Sequence, residues 1–163
     1  MKKIFKRILI ALLIIFIAIQ FIRPAKNRSE GISANDISTK YPVPDSVQAI
    51  LKVACYDCHS NNTRYPWYSE IQPVAWWLNN HIKDGKRGLN FSEFTSYRIK
   101  KQFHRLDDIN KLVKKNEMPL SSYTLIHTDA KLTEGQKLAI AAWATSIRDS
   151  IKAHYPPDSL VKK

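Results

Sequence analysis

The sequence Cys-Tyr-Asp-Cys-His at residues 55–59, called the CxxCH motif below, constrains this chain more than any other feature. Cys55 and Cys58 are its only two cysteines, and His59 follows the second directly. Two thiols at this spacing can each bond one vinyl group of the same porphyrin, while the adjacent histidine offers a ring nitrogen to the iron. The motif therefore predicts haem c, attached covalently through two thioethers, with His59 as an axial iron ligand.

Three other interpretations of the cysteine pair fit the sequence less well. A thioredoxin-like dithiol would follow a strand in a βαβ unit, whereas a helical pattern precedes Cys55. A disulfide between such near neighbours closes a very short loop and contributes little stability. A zinc site needs four ligands, and the motif, with no second cysteine pair in the chain, supplies three at most.

The N-terminus has a basic start followed by an apolar run. Four basic residues lie within residues 1–7, and the segment 8–22 is apolar apart from Gln20. As a helix this segment reaches about 22 Å, against about 30 Å for a bilayer core, so flanking side chains would have to complete a span. We interpret residues 1–23 as a signal anchor, a transmembrane helix that contacts the membrane, with a cleaved signal peptide as the alternative.

That interpretation places the rest of the chain on the periplasmic side of a bacterial inner membrane, whether or not the signal is cleaved. Residues 24–40 are polar and predict a linker. Residues 41–155 show helical apolar periodicity and no alternating strand pattern, which predicts an all-α domain. Thr133 and Gln136 have the spacing of a helix capping box. Residues 156–163 follow the proline pair at 156–157 and predict a flexible tail.

The sixth iron position needs a sulfur or nitrogen side chain. Met118 is the sole methionine besides the initiator, and it precedes Pro119 in a loop between helical segments. A lone methionine is usually a core residue, but here the neighbours Glu117 and Pro119 indicate a turn. We therefore predict Met118 as the distal ligand. The alternatives are histidines, with His127 ahead of His81, His104 and His154.

Aromatic residues and one arginine complete the candidate site. A haem is a large apolar plate, so aromatic side chains are expected around it or in the core beneath it. Arg64 follows the motif and is a candidate partner for a haem propionate, with a solvated side chain as the alternative. The four tryptophans considered for these roles are Trp67, Trp76, Trp77 and Trp143.

The formal charge of +12 is unevenly distributed, because the N-terminus carries basic residues only. Five of the 26 basic residues precede Pro24, which leaves 21 basic against 14 acidic residues in the rest of the chain. No nucleic-acid motif and no long basic run accompanies this charge, so a nucleic-acid partner is not predicted. An acidic redox partner or an anionic membrane surface suits the same charge.

The CxxCH motif and its surroundings resemble the bacterial haem-binding domain family of cytochrome c-like proteins. After the motif, the resemblance runs through residues 61–68 (NNTRYPWY) and 72–78 (QPVAWWL). Further matching pieces are residues 81–85 (HIKDG), 89–92 (LNFS), 117–119 (EMP), 125–127 (LIH) and 131–132 (KL). The resemblance covers about residues 41–155 and implies an all-helical, cytochrome c-like domain with c-type haem. It does not imply a defined reaction.

These observations together predict a membrane-anchored cytochrome with a single haem that transfers electrons and is not an enzyme. One alternative is a haem-based sensor or ligand-binding module, which would have an open or weakly held sixth iron position. A haem peroxidase-like enzyme is a further alternative. It would need a distal set of catalytic side chains, and the sequence does not show one.

Overall fold

Seven α-helices form the framework of the computed structural model, which describes residues 1–161. They are α1 (Lys2–Ile19), α2 (Asp45–Ala54), α3 (Tyr56–His59), α4 (Val74–Gly88), α5 (Ile99–Lys114), α6 (Ser121–Thr124) and α7 (Glu134–His154). Five 3-10 turns connect or flank them, at Ile37–Thr39, Trp67–Glu70, Phe91–Ser96, Thr128–Ala130 and Pro157–Ser159. No strand occurs within residues 1–161. The prediction of an all-α fold is confirmed.

The longest helix, α7, is built as its sequence predicts. Thr133 accepts from the backbone N–H of Gln136, and the Gln136 side chain accepts from the backbone N–H of Thr133, so the capping box is complete. Apolar residues at helical spacing give α7 one buried face, which packs against α5 and α2. These residues are Ile140, Trp143, Ala144, Ile147 and Ile151.

The chain between residues 92 and 114 differs from its prediction. The apolar pattern suggests one helix from Ser92 and a separate short helical patch around Ile109. The structure instead has a 3-10 turn at Phe91–Ser96, followed by the uninterrupted helix α5. Residues 99–114 contain no glycine or proline that would end a helix, so α5 continues through the predicted gap.

The N-terminal segment forms the helix α1, but its predicted role as a transmembrane helix is not supported. Among residues 1–161, no helix is long and apolar enough to cross a membrane. Four of the 18 residues in α1 are the basic residues Lys2, Lys3, Lys6 and Arg7, and α1 ends at Ile19, before the apolar segment does.

The chain that follows α1 is bound to the domain. The side chain of Gln20 accepts from the backbone N–H of Gln72 at 2.9 Å. The indole of Trp76 and the amide of Gln72 both donate to the carbonyl oxygen of Ile22, each at 2.9 Å. The start of α4 therefore holds the chain just beyond the end of α1.

The polar segment predicted as a linker makes similar contacts. The amide of Asn27 donates to Thr63 Oγ1 and to the carbonyl oxygen of Ser60, both at 2.9 Å. Ile37 is fully buried in the main core, and Leu160 of the predicted tail is also buried there. Polar side chains that resemble a solvated tether in sequence are thus bonded to the loop after the CxxCH motif.

Candidate cofactor site

A largely apolar cavity of about 340 Å³ brings together the four predicted haem-binding residues Cys55, Cys58, His59 and Met118. Its volume lies in the range of small-molecule and cofactor sites. The apolar part of its wall comes from α2, α5, α7 and the loops around them. These residues are Leu51, Ala54, Leu89, Phe91, Ile109, Leu112, Val113, Pro119, Leu120, Leu132 and Ile140.

The CxxCH motif forms a single helical turn that opens onto this cavity. Helix α2 ends at Ala54, and Cys55 leaves the helical path with φ −128° before α3 begins. The backbone N–H groups of Cys58 and His59 both donate to the carbonyl oxygen of Cys55, at 3.2 and 3.0 Å. This turn places both thiols and the imidazole at the wall of the same cavity.

The imidazole of His59 is oriented by backbone carbonyl groups. Its Nδ1 lies 2.9 Å from the carbonyl oxygen of Leu89 and 3.1 Å from that of Gly85. Because carbonyl oxygens only accept, Nδ1 must carry the proton, which leaves the Nε2 lone pair available to a metal. Burial lowers the pKa of His59 and so favours the neutral ring that acts as a ligand.

Gly85 allows α4 to approach the CxxCH motif closely enough for these bonds. A Cβ atom at this position would lie 2.5 Å from the carbonyl oxygen of Cys58 and 3.1 Å from its Cβ. Both distances are shorter than normal van der Waals contact, so a side chain here would push α4 away from α3. A Cβ atom at Gly135 in α7, in contrast, would have no other atom within 4 Å.

The two thiols lie in an environment that opposes ionisation. Burial raises the pKa of Cys55 to about 12 and that of Cys58 to about 11. Dithiol oxidoreductases instead depend on a cysteine whose pKa is lowered by nearby positive charge or a helix N-terminus. The site therefore does not suit a thioredoxin-like reaction.

Met118 reaches the cavity from a part of the sequence that is far from the CxxCH motif. Beyond α5, Asn116 adopts a left-handed conformation with φ 58°, which asparagine tolerates better than most residues. The backbone N–H groups of Glu117 and Met118 then both donate to the carbonyl oxygen of Leu112, at 2.9 and 3.2 Å. This turn folds the chain back over the end of α5 and brings Met118 to the cavity.

The alternative histidines differ in their access to the cavity. His81 borders it, but its ring lies against Trp77 at a centroid distance of 4.2 Å. His127 is not among the lining residues, and its Nε2 is hydrogen-bonded to the hydroxyl of Tyr68 at 2.6 Å. His104 bonds the carbonyl oxygen of Leu160 through Nε2. The imidazole expected to compete best with Met118 is thus engaged elsewhere.

The tryptophans do not form the wall of the cavity as expected. Within residues 1–161, none of the four borders it. Trp143 is buried in the main core, which was one of the two positions expected for the tryptophans. Its indole N–H donates to the carbonyl oxygen of Pro42. Trp67 and Trp77 are 78% and 47% exposed, so their predicted burial is wrong. The apolar wall consists of aliphatic side chains and Phe91 instead.

A hydrogen bond between two polar residues of the cavity wall was not predicted. Asp57, between the two cysteines, is only 6% exposed, and its Oδ2 accepts from the hydroxyl of Tyr123 at 2.7 Å. Arg64, the candidate propionate partner, does not border the cavity and is directed to Asp57 at 3.5 Å. Burial, followed by the Asp57 hydrogen bond, raises the pKa of Tyr123. No periodicity marks Asp57 or Tyr123; only the position of Asp57 inside the motif was a signal.

A basic groove adjoins the cavity at the start of α5. Its volume is about 260 Å³, and it shares Arg105 and Asp108 with the cavity. Its remaining lining residues are Arg98, Lys100, Lys101 and His104. Arg105 is paired with Asp108 at 2.8 Å, whereas Arg98, Lys100 and Lys101 make no ion pair within residues 1–161. Positive charge thus lies beside one edge of the cavity.

Comparison with known proteins identifies one protein family. The family model described as a haem-binding domain matches residues 14–146, a span that contains both cysteines, His59 and Met118. No curated protein and no solved structure matches the chain. The match supports haem as the cofactor, while the cytochrome c-like character of the fold stays a prediction.

Replacing Gly85 with alanine tests the close packing of α4 on the CxxCH motif. We expect Gly85→Ala to lower the free energy of unfolding by about 1–3 kcal/mol, the usual cost of overpacking, and to reduce the haem bound per chain. Gly135→Ala in α7 is the control, because Gly135 does not border the cavity, and it should be neutral or slightly stabilising, since alanine favours helices. Thermal unfolding and haem absorbance measure both effects; equal behaviour of the two variants would contradict this packing.

Proposed function

We propose, from the premise that this chain belongs to the haem-binding domain family, that it is a c-type cytochrome with one covalently attached haem that transfers electrons. The observation that carries the proposal is the convergence of two thiols, an oriented imidazole and a thioether on one apolar cavity. This donor set fits a haem iron with histidine on one side and methionine on the other. The haem, when bound, supplies a reversible one-electron iron couple.

Each residue has a definite part in this proposal. Cys55 and Cys58 would form the two thioether bonds, and His59 would bind the iron through Nε2 while Leu89 and Gly85 hold its Nδ1 proton. Met118 would provide the distal sulfur. The aliphatic wall would exclude water from the iron, which favours electron transfer over the binding of external ligands.

Covalent attachment of haem takes place in a particular cellular compartment. Bacterial c-type haem is attached on the outer side of the cytoplasmic membrane, so we propose that the basic and apolar N-terminus serves as an export signal. Five basic residues precede Pro24, and none of the 14 acidic residues does. Contact of the N-terminal segment with the membrane and a periplasmic location stay predictions.

The basic groove suggests the kind of partner that exchanges electrons with the haem. Arg98, Lys100 and Lys101 add positive charge beside the cavity edge, where Arg105 is already paired. Complementary charge steers an encounter toward the surface that carries it. We therefore propose a redox partner with an acidic surface, which docks at this groove and places its own cofactor near the haem edge.

Removing the thioether of Met118 tests the electron-transfer function. We expect Met118→Ala to bind carbon monoxide in the reduced state at least about tenfold faster, which corresponds to about 1.4 kcal/mol of lost ligation. The reduction potential should also fall, because a thioether ligand favours Fe(II). Stopped-flow absorbance and a redox titration measure these changes.

Leu120→Ala is the control for Met118→Ala, because Leu120 borders the same cavity without a ligating atom. It also removes an apolar side chain from the wall, so it measures the effect of opening the cavity alone; it should raise the rate less than Met118→Ala does and leave the potential close to that of the unchanged protein. Rapid carbon monoxide binding by the unchanged protein would contradict a firm Met118 ligand. It would favour the sensor or ligand-binding alternative instead.

Reversing one charge tests the basic groove. We expect Lys100→Glu to slow the oxidation of the reduced haem by hexacyanoferrate(III), a trianion, by about threefold to tenfold at low ionic strength. Lys114→Glu is the control, since it makes the same change fourteen residues, or about 21 Å, further along α5. Near 1 M salt, where the Debye length is about 3 Å, the difference should vanish. Equal slowing by both variants would show no preference for the groove.

A further inference from the structure

A hydrogen bond to a buried carboxylate joins the CxxCH motif to the segment that carries Met118. Asp57 lies between the two cysteines and has little access to solvent. Its Oδ1 accepts from the backbone N–H of Arg64 at 2.9 Å, and its Oδ2 accepts from the hydroxyl of Tyr123 at 2.7 Å. The Arg64 side chain is 62% exposed and lies at the longer distance of 3.5 Å. Tyr123 is therefore the close side-chain donor to this carboxylate.

Tyr123 belongs to residues 115–124, called the Met118 segment here, which run from the end of α5 through α6. At its start this segment is bonded to α5, through the carbonyl oxygen of Leu112. Further along, the Tyr123 hydroxyl makes the only side-chain hydrogen bond between the segment and α3 in the part of the chain that the structure describes. The same hydroxyl lies 3.4 Å from the carbonyl oxygen of Val53 in α2, so without it no hydrogen bond within residues 1–161 would tie the segment to α2 or α3.

The ring of Tyr123 is fixed by contacts that do not involve its hydroxyl. It stacks on the ring of His127, with a centroid distance of 4.3 Å and an interplanar angle of 17°. His127 is in turn fixed by the hydroxyl of Tyr68 at 2.6 Å. A phenylalanine at position 123 would keep the stacking and lose only the contacts of the hydroxyl, which are the bond to Asp57 and a longer one of 3.4 Å to the carbonyl oxygen of Val53.

We propose that Tyr123 is a positioning residue, which holds Met118 at the haem iron by tying the Met118 segment to Asp57. This inference rests on the proposed function, because it assumes that Met118 is the distal ligand. A hydrogen bond to a buried carboxylate is stronger than one between neutral groups. Losing it leaves Asp57 short of a donor and allows the segment to move away from the cavity.

The test is a double-mutant cycle on the haem-loaded protein, with carbon monoxide as the probe of the iron. The unchanged protein, Tyr123→Phe, Met118→Ala and the double variant are reduced, and the association rate is measured by stopped flow. We expect Tyr123→Phe to raise the rate about tenfold, equivalent to about 1.4 kcal/mol, and to lower the reduction potential. In the Met118→Ala background, Tyr123→Phe should change neither quantity.

Tyr41→Phe is the matched control. It also removes a tyrosine hydroxyl that donates to a side-chain oxygen, in this case that of Gln102 at 2.7 Å, but it touches neither the cavity nor the Met118 segment. It should leave the carbon monoxide rate unchanged. Should Tyr123→Phe fold poorly, judged by thermal unfolding and haem content, Asp57→Asn weakens the same bond from its other end and is measured in the same cycle.

The outcomes separate this inference from the proposed function. If Met118→Ala accelerates carbon monoxide binding but Tyr123→Phe matches the unchanged protein, the positioning role is overturned and the ligand assignment stands. An equal acceleration by Tyr123→Phe with and without Met118 also overturns it, since the effect would then be a general loosening of the site. If Met118→Ala has no effect, the ligand assignment fails and the positioning role fails with it.

Discussion

The hydrogen bonds from His59 Nδ1 to the carbonyl oxygens of Gly85 and Leu89 connect the CxxCH motif to the end of α4. They decide which ring nitrogen faces the cavity, and they require α4 to lie against α3 at a distance that only glycine permits at position 85. The loop after the motif then binds the chain that precedes the domain, through Asn27. At this wall of the cavity, the position of α4 and the orientation of the His59 imidazole are thus linked.

The opposite wall is assembled from sequence far from the motif. Helix α5 provides apolar side chains, and the turn after it brings Met118 to the cavity. The two walls are joined by the core contacts of α5 and α7 and, close to the cavity, by the bond from Tyr123 to Asp57. A site built this way would keep His59 and Met118 in fixed positions, which is what the proposed electron transfer would require.

The sequence predicted the features that have local causes. Such features are the capping box at Thr133 and the all-α pattern, because each depends on residues that are close in the chain. The local Met-Pro sequence also pointed to Met118, which lies at the same cavity as His59. The exposure of Trp67, the bonds of Asn27 and the bond from Tyr123 to Asp57 depend on which distant segments meet. Polar side chains that bind a neighbouring loop have the same composition as a solvated linker, so composition could not distinguish the two.

The most direct measurement is the mass of the denatured protein after expression with a c-type haem maturation system. Denaturant and acid remove any haem held only by His59 and Met118, whereas thioether bonds survive. The intact mass should equal the chain, after any cleavage of its N-terminus, plus one haem, and Cys55→Ala combined with Cys58→Ala should lose that added mass. A wild-type chain that releases all its haem on denaturation would contradict covalent attachment and, with it, the proposal that this protein is a c-type cytochrome.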